Sequence, residues 1–274
     1  MALVYRRKGE WDQALSSHET AVELSPRDPD IIGESGTSYW FIRDYERALA
    51  LYDRAIALEP SSSFFYQWKV LACLNRGHVE EAWRTLEEMR EKTGRHFPGT
   101  VGVLNRIIMR TFQERFREDL HDPSIQGYLL SIAQSYQMAG DVETSRAYYD
   151  SARVAVETGI REHPEWDEDY DTHTNLGVAY AGLGRKADAL REAERASELR
   201  SMSEDALLGT YPILGLAEVN VMLGEYDAAI DRIQYLLSIP APISATLLRI
   251  DPIWDPLRDR PRFQALLERY AEGG

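Results

Sequence analysis

Apolar and small residues near the start of the chain recur at steps of three, four and seven, the spacing that places side chains on one face of an α-helix. Three runs repeat this with matching residue types: Ala14, His18 and Ala21; Ala48, Tyr52 and Ala55; Ala82, Leu86 and Met89. Their leading alanines are 34 residues apart, the same step links Ala21 to Ala55, Pro26 to Pro60 and Tyr5 to Tyr39, and two steps link Gly9 to Gly77. Small residues at the ends of each triplet let a neighbouring helix approach, and the middle residue supplies bulk. Before each triplet the pattern predicts another helix, marked by a small residue and, three positions on, a ring: Gly36 and Tyr39, Ala133 and Tyr136, Gly177 and Tyr180. Gly77, Gly140, Gly184 and Gly224 stand between the two helices as turn residues. The predicted unit is a helical hairpin, repeated.

These residues resemble the tetratricopeptide repeat, whose pattern is a bulky residue, Leu-Gly, Tyr, a tight turn, Ala, a large residue, Ala and a closing Pro. Gly36, Tyr39, Tyr45, Ala48, Tyr52, Ala55 and Pro60 match it most fully, and Leu176, Gly177, Tyr180, Gly184, Ala189 and Ala196 repeat it. The resemblance implies an all-α fold, a right-handed α-α superhelix of helical hairpins. The run Leu248 to Leu267, the segment Arg146 to Arg153 and the segment Leu176 to Lys186 also look like the carboxy-terminal repeat regions of bacterial regulators. In that group such a region follows a Ser/Thr kinase, a nucleotide cyclase or a DNA-binding domain.

Departures from the period divide the chain. Residues 1–94 read as amino-terminal repeats, of which the first is incomplete because Tyr5 falls late in its helix. Gly77 to Gly140 spans 63 residues, so 95–127 is expected to hold a degenerate unit with a long helix around 99–119. Residues 128–240 carry further repeats with insertions: a helix from Val142 that runs about ten residues past the usual length, and a polar connector over Arg200 to Asp205. Residues 241–274 read as a cap, with Pro261 opening a last helix near 261–271.

Composition narrows the partners. With 45 acidic against 31 basic residues the net charge is −14, which disfavours nucleic acid as a partner. Arg106, Arg110, Arg115 and Arg117 interleave with Glu114, Glu118 and Asp119 and read as a solvated helix face. A single cysteine, Cys73, forms no internal disulfide and suits a reducing compartment, so the expected location is the cytoplasm. No apolar run reaches the roughly 18 residues of a membrane span.

Three motifs suggest chemistry and each has a plainer explanation in the repeat. Gly182, Gly184 and Ala187 fit a dinucleotide fingerprint, but a helix precedes them where a strand is required. Asp167, Asp169 and Asp171 alternate as in a calcium loop, yet Thr172 and Val178 stand where glycine and glutamate are needed; Asp171 or Thr172 is expected near a helix cap instead. Gly33 to Thr37 approaches a nucleophile elbow, but Gly36 is the repeat glycine. His18, His78, His96, His121, His163 and His173 never pair at the spacing of a helical zinc site. No catalytic residue, metal site or cofactor is expected. His18 fills a bulky core slot, and Cys73 fills a ring slot as a buried small hydrophobe.

The resemblance implies that the first helix of each hairpin lines a concave face. Its outward positions in the second and third units are Asp30, Gly33, Thr37, Trp40 and Phe41, then Phe64, Gln67, Leu71, Leu74 and Asn75. Of these, Thr37, Trp40, Phe41, Phe64, Gln67, Leu71 and Asn75 form a candidate aromatic groove for an extended peptide or an amphipathic helix. The alternative, that Trp40 and Phe41 pack against Phe64 as core, stays open. Gly33, Thr37, Gln67 and Leu71 stand where one family subtype uses lysine and asparagine to grip a terminal carboxylate, so that mode is not expected. The function that follows is a non-catalytic scaffold binding a protein or peptide, as the regulatory arm of a larger bacterial signalling protein. The rivals are a solenoid that senses a small molecule and a module that self-associates through the open first repeat, giving a homo-oligomer.

Overall fold

The computed structural model describes residues 1–94, 106–107 and 128–271. Within them the chain is an all-α superhelix of paired helices. The pairs are α1 (Ala2–Arg7) with α2 (Trp11–Leu24), α3 (Pro29–Phe41) with α4 (Tyr45–Leu58), and α5 (Ser63–Asn75) with α6 (Val79–Thr93). Beyond the middle come α7 (Tyr128–Met138) with α8 (Val142–Glu162), α9 (Tyr170–Gly182) with α10 (Lys186–Leu199), and α11 (Thr210–Met222) with α12 (Tyr226–Ser238). The expected long helix at 99–119 lies outside the described residues.

One turn serves all six pairs. Its third residue sits in the left-handed region, as glycine at 9, 77, 140, 184 and 224 and as arginine at 43. The next residue then donates its N–H to a carbonyl five positions back: Glu10 to Tyr5, Asp44 to Tyr39, His78 to Cys73, Asp141 to Tyr136, Arg185 to Tyr180, Glu225 to Asn220. This closes the end of the first helix by satisfying carbonyls that have no partner within it. It also explains why the ring slot and the turn glycine keep a fixed offset. Caps start the helices: Asp28 accepts from Asp30 and Ile31 ahead of Pro29, Asp44 from Arg47, and Asp141 from Thr144. Asp169, two residues before the expected position, caps α9 through the N–H of Asp171.

The small slots of the pattern are occupied as close approaches. A methyl built on Gly36 would lie 2.8 Å from the Tyr52 ring, and one on Gly177 would lie 3.2 Å from Ala193. Ala14, Ala48, Ala55, Ala82, Ala189 and Ala196 are wholly buried. Tyr39 and Tyr180 donate at 2.7 Å to carboxylates of the preceding helix, Glu19 and Glu157, so each ring hydroxyl keeps a partner where its body is dry.

His18 occupies its triplet's bulky slot at 4% exposure. Burial, with the Arg6 charge adding to it, pushes its pKa down to about 4. The unfolded chain takes up this proton near pH 6.5 and the folded chain does not, so stability falls as pH drops from 6.5 towards 4. The expected loss is on the order of 2–3 kcal/mol. Denaturant titrations at pH 7 and pH 4 should show it, and His18→Phe should remove that share of the pH dependence.

The insertions resolve as follows. Helix α8 has 21 residues against 14 in α2, α4 and α10, an extension of seven where about ten is expected. A 3-10 turn over Pro164–Glu168 takes up the rest. After α12 come α13 (Ala245–Ile250), a 3-10 turn (Pro252–Leu257) and α14 (Pro261–Arg269). Phe263, Leu266 and Leu267 of α14 join Leu248, Trp254 and Leu257 against Ile230, Ile233 and Leu237 of α12 in one apolar cluster.

Candidate interaction face

The candidate groove residues sit together on α3 and α5, but most are not outward. Trp40 is 2% exposed, Phe41 1%, Thr37 3% and Asn75 1%. Thr37 accepts from the Tyr52 hydroxyl at 3.4 Å and donates to Gly33, while Asn75 accepts from Tyr45 at 3.2 Å and donates to Leu71. These four are core, which corrects the outward placement expected for them. Phe64 remains exposed, and Gln67 and Leu71 are half-buried. Trp68, which the helical pattern does not single out, joins the two groups. It meets Trp40 edge-on at 5.0 Å and Phe64 at 6.1 Å. Trp11 stacks on Phe41 at 5.9 Å, and Tyr211 meets the same ring edge-on at 6.2 Å.

Tyr211 belongs to the carboxy-terminal half, and it does not come alone. Two stretches of that half lie across the ends of the first three hairpins. The connector expected to be a polar loop places Asp205, 3% exposed, 3.6 Å from the Arg7 guanidinium, and Ala206 donates its N–H to the Arg7 carbonyl at 2.7 Å. The coil between α12 and α13 does the same further along: Ala241 donates to the Phe41 carbonyl at 3.2 Å, and the Ser244 hydroxyl to the Asn75 carbonyl at 2.8 Å. Leu207 and Leu247 enter the aromatic cluster around Trp40. The superhelix thus closes on itself, and the chain's own carboxy-terminal segments cover the aromatic face.

Arg43 anchors this closure. Its guanidinium donates to the carbonyls of Ile243 at 2.9 Å, Leu236 at 2.8 Å and Ile239 at 2.8 Å. It does so from a left-handed backbone, φ 68°, at the slot that is glycine in the other five turns. A side chain there costs about 1–2 kcal/mol. The sequence carries a signal for it, since positions 9 and 77 are glycine and the midpoint of that 68-residue interval is not.

A second polar cluster joins the halves elsewhere. Arg106, expected on a solvated face, is 2% exposed. It pairs with both oxygens of Asp251 at 2.8 and 2.6 Å, with Glu218 at 3.3 Å and with Gln134 at 3.0 Å. Burial alone would lower the guanidinium pKa, but the Asp251 and Glu218 carboxylates outweigh it and raise it; burial raises Glu218 against the pull of Arg106. Arg110, Arg115 and Arg117 lie outside the described residues. Beside Arg106 opens a cavity of about 720 Å³ lined by Gln134, Met138, Met222, Tyr226 and Ile253.

The residues weighed for chemistry take structural places. Cys73 is buried, and burial pushes its thiol up to about 12. Gly182 abuts the Tyr149 ring, and Gly184 is a turn residue. His173 is held between Glu192 at 2.8 Å and the Asp167 carbonyl at 2.9 Å. Among the described residues no three His, Cys, Asp or Glu side chains converge as a metal-binding group, and no helix is long and apolar enough to cross a membrane.

Residues 1–32 and 34–93 each match a family model described as tetratricopeptide repeat. Among curated proteins, anaphase-promoting complex subunit 3 of Schizosaccharomyces pombe is 36% identical over 77 residues, 27% of this chain and 12% of that protein. The chain therefore matches only a small part of that relative's length. Among solved structures, a tetratricopeptide repeat protein from Parabacteroides merdae is 14% identical with a TM-score of 0.42, over 98% of this chain and 81% of that one. A thermophilic repeat protein from Thermus thermophilus is 19% identical with a TM-score of 0.38, over 90% and 98%. Over the matched residues of its first three hairpins, this chain carries tetratricopeptide repeats.

Proposed function

We propose that the chain is a non-catalytic protein-interaction scaffold that takes a peptide or protein partner on the face of α3 and α5, and that it serves as the regulatory arm of a larger bacterial signalling protein in the cytoplasm. The observation that carries the reading is the accessible edge of the aromatic cluster. Phe64, exposed, with half-buried Gln67, Trp68 and Leu71, continues a buried set of rings out to the surface. Apolar anchors with an amide beside them suit an apolar side chain presented by an extended peptide. The repeat match supports the same class of function.

The test is selection from a random-peptide display library on the full chain, followed by affinity measurement on variants. Phe64→Ala and Leu71→Ala should each weaken selected peptides about tenfold, a hot-spot loss of about 1.4 kcal/mol. Glu91→Ala, on the exposed side of α6, should leave them unchanged. Peptides indifferent to both Phe64 and Leu71 would place recognition elsewhere.

One observation favours a second reading, small-molecule sensing. The cavity beside Arg106 has the volume of a ligand site and mixes methionine, tyrosine and amide groups. A metabolite that raises the melting temperature, in the absence of any selected peptide, would favour it.

A further inference from the structure

The three amino-terminal hairpins end their first helices at Arg7, Phe41 and Asn75, each 34 residues from the next. The carbonyls of these three equivalent residues all accept from the carboxy-terminal half: from the Ala206 N–H, the Ala241 N–H and the Ser244 hydroxyl. Carbonyls at a helix end have no partner within the helix, so a row of such ends at the repeat spacing is a row of acceptors for a chain laid across it. Arg43 supplies the complementary donors, reaching the carbonyls of Ile239 and Ile243 in the laid chain and that of Leu236 near the end of α12. The recognised groups are therefore mostly backbone, and the segment that supplies them over 239–244 is coil: Ile-Pro-Ala-Pro-Ile-Ser. Its prolines favour an extended backbone and remove N–H groups that would need other partners. Two of the turn glycines lie close to the carboxy-terminal half and admit only small groups there. A methyl built on Gly9 would lie 3.2 Å from Ala206, and one on Gly77 would lie 3.0 Å from Thr246.

Resting on the scaffold reading, we infer that the Phe41 and Asn75 part of this row is a docking edge for an extended, proline-bearing apolar peptide, and that residues 239–247 occupy it in cis until a partner segment of the same chemistry displaces them. Arg43 is the residue that serves both states. Closed, it holds the chain's own strap; open, it offers the same donors to the partner's carbonyls. The use of arginine at a slot that is glycine in the other five turns follows from that role, because glycine would make the turn and leave the laid chain unread. Displacement would also withdraw Leu247 from the cluster of Trp40 and Phe41, leaving Leu207 and Tyr211 in place.

The test uses the full chain and a fluorescein-labelled synthetic peptide with the sequence of residues 236–247. Ala241→Glu places a charge at a buried strap position and leaves the helix-end row intact. The peptide should bind this variant at least tenfold more tightly than the wild type, and adding Arg43→Gly should remove the gain. A folded Ala241→Glu chain that gains no affinity, or a gain that Arg43→Gly leaves unchanged, would overturn the inference. Should Ala241→Glu not fold, Arg43→Gly alone decides, since it restores the residue of the other five turns. Amide exchange at Ala241 should then rise at least tenfold while that at Asp44 is unchanged, and an unchanged Ala241 would show the strap to be permanent core. Failure here leaves the Phe64 and Leu71 measurements standing, so the two readings fail separately.

Discussion

Trp40→Ala is expected to destabilise the chain by about 3–5 kcal/mol, the cost of removing a large aromatic side chain from a packed interior. Trp40 touches Phe41 at 5.0 Å and Trp68 at 5.0 Å, and both rings belong to the cluster that Leu207 and Leu247 close from the carboxy-terminal side. Its loss leaves a void between the second and third hairpins, so the neighbours cannot collapse into it by moving one helix. Equilibrium denaturation, read by the tryptophans that remain, gives the number. The same change at Phe64, which is exposed, should cost under about 1 kcal/mol. The contrast separates packing residues from surface anchors within one aromatic group.

Asp251→Ala is expected to cost a comparable amount, about 3–5 kcal/mol. The Asp251 side chain is 1% exposed and supplies two of the four acceptors around Arg106, and it also accepts from the Ile253 N–H at 3.2 Å, where it starts the 3-10 turn that follows α13. Removing it strands a buried guanidinium with Glu218 and Gln134 as its remaining partners. Asp251→Asn keeps an acceptor for Ile253 and loses the ion pair, so its measured cost isolates the charge from the cap. If both variants unfold at the wild-type denaturant midpoint, the cluster contributes nothing and its burial needs another explanation.

Much of the repeat was legible because it is local. The ring slots at Tyr5, Tyr136 and Tyr180 are tied to the residues that follow the left-handed glycines at 9, 140 and 184 by one hydrogen bond spanning five residues. A constraint of that length leaves its mark at a fixed spacing. The last helix was legible for a similar reason, since Pro261 opens α14 where a helix-starting proline belongs.

The faces were less legible. Periodicity puts Trp40 and Phe41 among the outward positions of α3, and the structure buries both. What covers that side depends on the winding of the whole array, set by contacts about 170 to 200 residues apart, such as Arg43 with Ile243 and Asn75 with Ser244. No local pattern encodes those pairs. Arg106 was misplaced for the same reason: its partners are Glu218 and Asp251, 112 and 145 residues on, and a charged residue in a mixed-charge run reads as solvated when they are out of view. Arg43 could have been found, by asking why the second turn of a regular array lacks the glycine that flanks it on both sides.

The aromatic face is closed in cis by the carboxy-terminal segments, and the amides of Ala206 and Ala241 report on that closure most directly. Each donates to a carbonyl of the amino-terminal hairpins, Arg7 and Phe41, and each lies in coil, so neither is protected by a helix of its own. Hydrogen exchange on the partner-free chain should find both protected by at least about a hundredfold over unstructured rates, in line with a closed form stable by at least about 2.7 kcal/mol. Exchange of both at the unstructured rate, with α3 and α12 still protected, would mean that the superhelix is open and the aromatic face uncovered.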